Sequence, residues 1–266
     1  HQKQIVVEPS DVVADKAVVV SPDNIGVNQP GEDVLHIYIT TNKYNAVLNN
    51  LGGGSLLEYD LVNGGKQFKG GYDINGAYND SLDVGLILNN QSLCAPCVAI
   101  QKGSQHRVFS EPFQLSSITI NGTPTFNKSI LLSGVDTCNI VMEKQYGNSR
   151  LVKQTTFYGD AYVTNHFLSV RGNIDNLSAL SLVWNKGIKN TEKNLSDEVT
   201  AYSAGYISIN KETHDLWFNP STMNDLAENS SASGPIDWVA IRNKYFIMAL
   251  VPDVATTASL SAVPYQ

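Results

Sequence analysis

The fold is indicated first by the stretch Val34-Leu-His-Ile-Tyr-Ile-Thr-Thr-Asn-Lys-Tyr-Asn-Ala-Val-Leu48. Side chains of two kinds alternate along two runs of it, Leu35–Thr40 and Tyr44–Leu48, with the more apolar side chains at every second position. A period of two is typical of half-buried β-strands. Asn50-Leu-Gly-Gly-Gly-Ser55 then interrupts the pattern, and an apolar segment runs from Leu56 to Val62. The stretch therefore predicts two strands, a glycine turn and a third strand.

The same pattern continues along most of the chain. Glycine and asparagine turns, such as Asn121-Gly122 and Tyr146-Gly-Asn148, separate short apolar segments at the spacing of a sandwich or barrel. We predict an all-β, mostly antiparallel sheet sandwich with a few short helices. The further strands are predicted at Leu82–Leu88, Cys97–Gln101, Phe113–Ile120, Ile130–Leu132, Cys138–Gln145, Arg150–Tyr158, Ala161–Arg171, Ala179–Trp184 and Ala204–Ile209, and the helical segments at Thr191–Thr200, Thr222–Asn229 and Trp238–Lys244.

Composition excludes several classes of protein. The 266 residues are 42% hydrophobic and only 16% charged, which argues against disorder. The net charge of −7 gives no basic excess, so we predict no nucleic-acid partner. Apolar runs such as Phe246–Val251 fall short of the roughly 20 residues that a membrane span needs. We expect a folded, soluble piece of protein.

Domain organisation is predicted to be simple. Residues 1–33 contain three prolines among short valine runs, without a helical period, and are interpreted as a linker or extended segment. Residues 34–266 show no repeat and no shift of composition, so we predict a single sandwich domain there. The chain starts at His1, which suggests that a targeting segment or a longer protein precedes it.

Cys94-Ala-Pro-Cys97 is the sharpest chemical spacing in the chain. In redox enzymes such a pair lies at the N-terminus of a helix, whereas here it precedes an apolar segment with the pattern of a β-strand. Haem attachment would need a histidine at Val98, and a zinc site would need a second pair of ligands. We interpret the cysteines as a structural pair, either free or bonded to each other, and Gly52-Gly-Gly54 as a turn, because no phosphate-loop motif surrounds it.

We identify no catalytic constellation, no metal site and no cofactor site. The five histidines lack metal-ligand spacing, and no nucleophile elbow is present. The carboxylates Glu111, Glu143, Asp160 and Asp215 are the candidates for a glycosidase-like pair, but the sequence brings no two of them together.

The segment Pro235-Ile-Asp-Trp-Val-Ala-Ile-Arg-Asn-Lys-Tyr-Phe-Ile-Met-Ala-Leu-Val-Pro252 carries the functional information. Trp238, Ile241 and Tyr245 have the spacing of one side of a helical turn, and Phe246 to Leu250 alternate like a strand that Pro252 ends. The segment resembles the signature of the large periplasmic domain of the YidC/Oxa1/Alb3 family of membrane protein insertases. The matching residues are Trp238, Val239, Ala240, Tyr245, Phe246 and Pro252. Residues 40–57 and 153–162 are similar to other strands of that domain, less specifically.

The resemblance implies a β-supersandwich, two large antiparallel sheets similar to galactose mutarotase-like folds. It implies a non-enzymatic domain at the periplasmic face of the bacterial inner membrane, within a protein that is membrane-anchored. The implied partners are Sec translocon accessory subunits and nascent membrane proteins. The signature residues are then packing residues or part of a groove wall.

Two rival functions fit the same fold class. A carbohydrate-binding or mutarotase-like protein would need a general acid and base beside the sugar ring, for which His106, His166 and Glu143 are the candidates. A secreted adhesin or surface-layer module would suit the asparagine- and serine-rich composition. Fold alone does not choose among these functions.

Overall fold

The computed structural model describes residues 34–63, 66–73, 77–87, 94–185, 187–194, 204–217, 230–232, 236–254, 256 and 258–260. These residues form twenty-one strands and no helix, and all strand pairs but one are antiparallel. The predicted all-β, mostly antiparallel fold is confirmed. No helix in the described part is long and apolar enough to cross a membrane. The predicted linker at 1–33 lies outside the described residues.

The described strands fall into two compact units. The first, within residues 34–194, contains β1 (His36–Thr40), β2 (Tyr44–Asn49), β3 (Leu56–Asn63), β4 (Lys66–Gln67), β5 (Lys69–Tyr72), β6 (Tyr78–Asp83), β7 (Cys97–Lys102), β8 (Gln105–Val108), β9 (Gln114–Ile120), β10 (Thr123–Thr125), β11 (Ser129–Leu131), β12 (Thr137–Tyr146), β13 (Ser149–Tyr158), β14 (Thr164–Arg171) and β15 (Leu177–Val183). That residues 34–266 form a single domain remains a prediction.

Two five-stranded sheets dominate the first unit. Their strand orders are β11-β1-β2-β3-β4 and β10-β9-β12-β13-β14, beside the smaller sheets β15-β7-β8 and β5-β6. The alternation of apolar and polar residues in the sequence corresponds to an alternation of buried and exposed side chains. In β1, Ile37 and Ile39 face inwards while Tyr38 is 53% exposed. Tyr44 of β2 stacks on Tyr59 of β3 and donates a hydrogen bond to the carbonyl of Tyr158 in the other sheet. The inner faces of the two sheets therefore pack together as a sandwich.

The predicted turns are formed by residues that accept a left-handed backbone. Asn121 and Gly122, with φ of 50° and 80°, join β9 to β10 as a two-residue hairpin loop. Gly52, Gly53 and Gly54 all have positive φ between β2 and β3, as expected for a glycine turn. The predicted strand Leu82–Leu88 is only partly observed, because β6 ends at Asp83 and Gly85 and Ile87 form isolated bridges; Leu88 lies outside the described residues.

The second unit contains β16 (Ala204–Ile209), β17 (Glu212–Trp217), β18 (Ser230–Ala232), β19 (Ile236–Arg242), β20 (Ile247–Leu250) and β21 (Ala258–Leu260). Four of these strands form a sheet in the order β17-β16-β19-β20, and β18 pairs with β21.

The predicted helices are not observed in the described residues. Trp238–Lys244 was expected to be helical, but residues 236–242 form the strand β19, which pairs with β16 on one side and β20 on the other. The β-branched Val239 and Ile241 favour this extended state, and two ladders of hydrogen bonds outweigh the helical spacing of Trp238 and Tyr245. Of Thr191–Thr200, residues 191–194 are not helical and the rest lie outside the described residues, as does all of Thr222–Asn229.

Candidate functional site

The candidate site is the β20 edge of the four-stranded sheet in the second unit, which is open among the residues that the structure describes and lies beside the signature residues. Trp238, Val239 and Ala240 occupy the middle of β19, and β20 follows as the last strand of the sheet. Ala240 is buried, whereas Trp238 and Val239 are partly exposed. Three signature residues thus lie in the inner strand β19, whereas Tyr245 and Phe246 precede the edge strand β20 and Pro252 follows it.

A side-chain turn fixes the connection between these two strands. Asn243 is 3% exposed, and its Oδ1 accepts hydrogen bonds from the backbone N–H of Tyr245, at 3.1 Å, and of Phe246, at 2.8 Å. The Asn243 N–H donates to the carbonyl of Phe246 at 3.0 Å. Asparagine is favoured here because its short amide side chain imitates a backbone acceptor. The turn leaves the Tyr245 ring 60% exposed.

The backbone of β20 presents hydrogen-bonding groups away from β19. In an antiparallel pair, residues alternate between those that exchange both hydrogen bonds and those that exchange none. Asn243 and Phe246 form a bonded pair, so the facing pairs Arg242–Ile247 and Ala240–Ala249 are of the other kind. The N–H and C=O groups of Ile247 and Ala249 therefore point towards the open side of the sheet.

The side chains along this edge are apolar and exposed. Ile247 is 61% exposed and Val251 is 69% exposed, and Ala249 between them is also exposed. Met248 and Leu250, which alternate with them, are only partly exposed. The strand predicted from the alternation of Phe246 to Leu250 is present, but it lies at an edge rather than in a core. We refer to residues 245–251 as the β20 edge.

The predicted role of the signature residues, packing or a groove wall, stays a prediction. Phe246 and Pro252 are partly exposed, as Trp238 is. Tyr245 is 60% exposed. Sequence reasoning missed the exposure of the edge because alternation gives the two faces of a strand but not its position in the sheet.

A second polar feature, missed in the sequence, lies in the core of the first unit. Lys153 of β13 is 0% exposed, and its Nζ donates hydrogen bonds of 2.6 Å to the carbonyls of Gly54 and Pro96. Burial lowers the pKa of this amine to about 7. The signal was available, because Lys153 alternates with Leu151 and Thr155 on the inner face of β13.

Cys94 and Cys97 form a disulfide beside this lysine, and both are buried. The loop that they close is bonded to the glycine turn through Leu56 N–H to the Ala95 carbonyl, at 2.8 Å, and through Ala95 N–H to Ser55 Oγ, at 2.9 Å. The interpretation of the cysteines as a structural pair is supported by these contacts, which tie the disulfide loop into the core.

The candidate acid and base of a mutarotase do not meet. Glu143 faces Val152 and Ser169 across the sheet, whereas His166 faces Thr155. Side chains three positions apart on one strand point to opposite faces, so Glu143 and His166 lie on opposite sides of the sheet. His166 contacts the hydroxyls of Thr155 and Thr164, and burial, with a smaller effect of Lys153, lowers its pKa to about 3. It is therefore a neutral structural residue at pH 7.

The other candidate groups also have separate partners. Glu111 pairs with Arg107 at 2.6 Å, Asp160 pairs with Lys43 at 3.3 Å, and Glu143 pairs with two arginines. His106 faces Gln101 on the neighbouring strand. Nothing is described for the side chain of Asp215. Among the residues that the structure describes, no group of three histidine, cysteine or carboxylate side chains is placed to hold a metal ion.

Comparison with known proteins gives the family. The sequence-family model of the YidC periplasmic domain matches residues 124–264, from β10 to beyond β21. The match includes the Trp238-Val-Ala240 and Tyr245-Phe246 segments and the strand–turn–strand at 153–162. The resemblance noted at residues 40–57 lies outside it.

Three similar proteins are each named membrane protein insertase YidC. The relative from Chlorobaculum parvum is 29% identical over 133 residues, 48% of this chain and 22% of the relative. The relative from Prosthecochloris aestuarii is 27% identical over 151 residues, 56% of this chain and 23% of the relative. The relative from Chlorobium phaeovibrioides is 31% identical over 108 residues, 40% of this chain and 18% of the relative.

The chain thus spans about a fifth of the length of these relatives. The family match, in contrast, covers more than half of the 266 residues, with the strands from β11 to β15 of the first described unit and all strands of the second. The chain therefore belongs to the YidC periplasmic domain family, and its place is the periplasmic side of the bacterial inner membrane.

Proposed function

We propose that this chain is the non-enzymatic periplasmic domain of a membrane protein insertase, and that it supports insertion by binding extended polypeptide at the β20 edge. The relatives are named as insertases, and about four fifths of their length lies outside the matched region. We assign the insertion step to that remaining part, and to this domain the holding of segments of nascent membrane proteins that emerge on the periplasmic side.

One observation carries this proposal. The β20 edge combines outward backbone groups at Ile247 and Ala249 with exposed apolar side chains at Ile247 and Val251. An extended peptide adds to such an edge through main-chain hydrogen bonds, and its alternate side chains supply apolar contacts. The main-chain bonds do not depend on the peptide sequence, which suits a partner that must accept many different membrane proteins.

A Sec translocon accessory subunit is the alternative partner at the same edge. Strand addition requires only an extended segment, and a fixed partner subunit supplies one as well as a nascent chain does. The two versions differ in the number of sequences that bind the edge. Nascent chains would bring many different sequences to it, and an accessory subunit would bring only one.

Proline at position 249 tests the edge directly. The N–H of Ala249 points away from β19, so Ala249→Pro removes an outward donor without removing a bond of the β19–β20 ladder. Ala249→Val, the matched control, keeps the N–H and favours the strand. Binding of a fluorescent ten-residue peptide of alternating valine and threonine to the 266-residue chain is measured by anisotropy.

We expect Ala249→Pro to lower the affinity for the peptide by at least about tenfold, because one hydrogen bond and the register that it fixes are lost. Ala249→Val should bind the peptide as tightly as the parent chain does. Equal binding by the two variants, or no binding by the parent chain, would contradict the proposal.

A further inference from the structure

The outer face of the β12–β14 sheet carries a cluster of three charged side chains. Glu143 Oε2 lies 3.0 Å from Arg150 Nη1, and Glu143 Oε1 lies 2.8 Å from Arg171 Nη1. Gln145, Arg150 and Arg171 face one another across the three strands, so their side chains emerge in one row. Two of the four arginines of the chain meet here.

The charges in this cluster do not cancel. Glu143 is 8% exposed, whereas the side chains of Arg150 and Arg171 are 50% and 63% exposed. One guanidinium is sufficient to neutralise the buried carboxylate, and the second leaves a local charge of one positive unit. Each arginine bonds Glu143 through Nη1, and a guanidinium has five N–H donors in a planar fork. The carboxylate thus orients both arginines while at least half of each arginine side chain stays exposed.

The two guanidinium groups border an open cleft. It has a volume of about 510 Å³ and is lined by Gln145, Asn148, Ser149, Arg150, Arg171 and Gly172. The lining contains no carboxylate, although the chain has 25 acidic against 18 basic residues. A volume of this size is in the range of small-ligand sites.

We propose that this cleft binds a phosphate group through Arg150 and Arg171, with the Asn148 amide as a further donor. Arginine forks match the geometry of phosphate oxygens, and a tetrahedral anion has enough acceptors for two forks and an amide at once. A phosphate would balance the one positive charge of the two arginines that Glu143 does not neutralise. The source is either a soluble phosphate compound or the headgroup of an anionic phospholipid.

Titration of the 266-residue chain with inorganic phosphate tests the site. We expect saturable binding that weakens with added salt, and a loss of about ten- to a hundredfold in affinity for Arg150→Gln and for Arg171→Gln, the loss of one charged hydrogen bond. Arg107→Gln is the matched control, because Arg107 is also half-exposed and paired with a carboxylate, Glu111, but lies outside the cleft. Failure of phosphate to bind, or equal affinity in all three variants, would overturn the proposal.

Chemical modification gives a readout that does not depend on the folding of variants. Phenylglyoxal reacts with exposed arginines, and mass spectrometry reports each site. Inorganic phosphate should slow the modification of Arg150 and Arg171 but not of Arg107. Equal rates with and without phosphate at all three residues would contradict the site.

Vesicles separate the two sources. If a lipid headgroup is the ligand, phosphatidylglycerol vesicles protect Arg150 and Arg171 and phosphatidylcholine vesicles do not. If the ligand is a soluble phosphate, inorganic phosphate protects them and neither vesicle does. The β20 edge plays no part in this site, so the two proposals fail or hold separately.

Discussion

Replacement of Lys153 by methionine tests how a buried charge is held in the core of the sandwich. Lys153→Met keeps an unbranched side chain of similar length and removes the amine. The carbonyls of Gly54 and Pro96 lose their Nζ–H donor, since both bonds of 2.6 Å come from this amine. An unsatisfied buried acceptor costs about 1–3 kcal/mol, so the loss of two is expected to destabilise the fold.

The pH dependence of that cost follows from the pKa of Lys153. Burial lowers it from the ordinary value of 10.5 to about 7 in the folded chain. Between these two pH values the unfolded chain binds more protons than the folded chain, so the free energy of unfolding rises with pH. For one group with these values, the rise from pH 7 to pH 9 is about 2 kcal/mol. Lys153→Met lacks this contribution.

Urea unfolding of both proteins at pH 7, 8 and 9 measures the difference. We expect the destabilisation caused by Lys153→Met to increase by about 2 kcal/mol from pH 7 to pH 9. His166, whose folded pKa is about 3, and Cys138, whose pKa burial raises to about 12, contribute equally to both proteins in this range. A destabilisation that is constant with pH, or that decreases as pH rises, would refute the reasoning.

Lys144→Met is the matched control. Its Nζ also donates to a backbone carbonyl, that of Pro112 at 3.0 Å, but the side chain is only partly buried. We expect a smaller destabilisation for this variant than for Lys153→Met at pH 9.

Three further predictions concern the same core and the edge turn. Cys94→Ser/Cys97→Ser should lower the free energy of unfolding by about 2 kcal/mol, the chain-entropy value for so short a loop, as measured by urea unfolding; an unchanged midpoint would show that the disulfide adds nothing. Gly52→Ala should prevent recovery of folded chain, since a Cβ there would lie 2.7 Å from the Phe109 carbonyl and φ is +59°; Gly103→Ala, which also has positive φ but open space, is the control and should cost about 1 kcal/mol. Asn243→Ala should lower the free energy of unfolding by about 1–2 kcal/mol, measured by thermal unfolding, because two backbone N–H groups lose their acceptor. Asn243→Asp keeps an oxygen acceptor at this position and should cost less. Equal effects of the two substitutions would contradict the assigned turn.

Much of the fold was predictable because apolar and polar residues alternate along many of its strands. β12 and β13 agree with the predicted segments to within one residue at each end, since inner residues such as Ile140 and Phe157 are fully buried and most outer ones are polar, although Val141 and Val152 also lie on the outer face. Turns such as Asn121-Gly122 were predictable for a local reason, the positive φ that few residues accept. Such features depend on neighbouring residues in sequence.

The site was less predictable because it depends on sheet order. The sequence of β20 indicates a strand but not that it is an edge, and the exposure of Ile247 follows only from that position. β19 was wrongly predicted as a helical turn, because Trp238 and Tyr245 satisfy a helical spacing and the pairing with β16 and β20 is not visible in sequence. The Glu143–Arg171 pair joins residues 28 positions apart for the same reason.

Site-specific crosslinking in the full-length membrane protein tests the proposed function most directly. A photoreactive amino acid replaces Ile247 at the β20 edge or, as a control, Val135, which is 97% exposed in a turn of the first unit. Stalled nascent chains of several membrane proteins are then supplied as partners. The proposal predicts crosslinks from position 247 to each nascent chain and none from position 135. A crosslink from 247 to a single Sec accessory subunit would favour the alternative partner, and equal labelling from both positions, or none from 247, would contradict binding at the β20 edge.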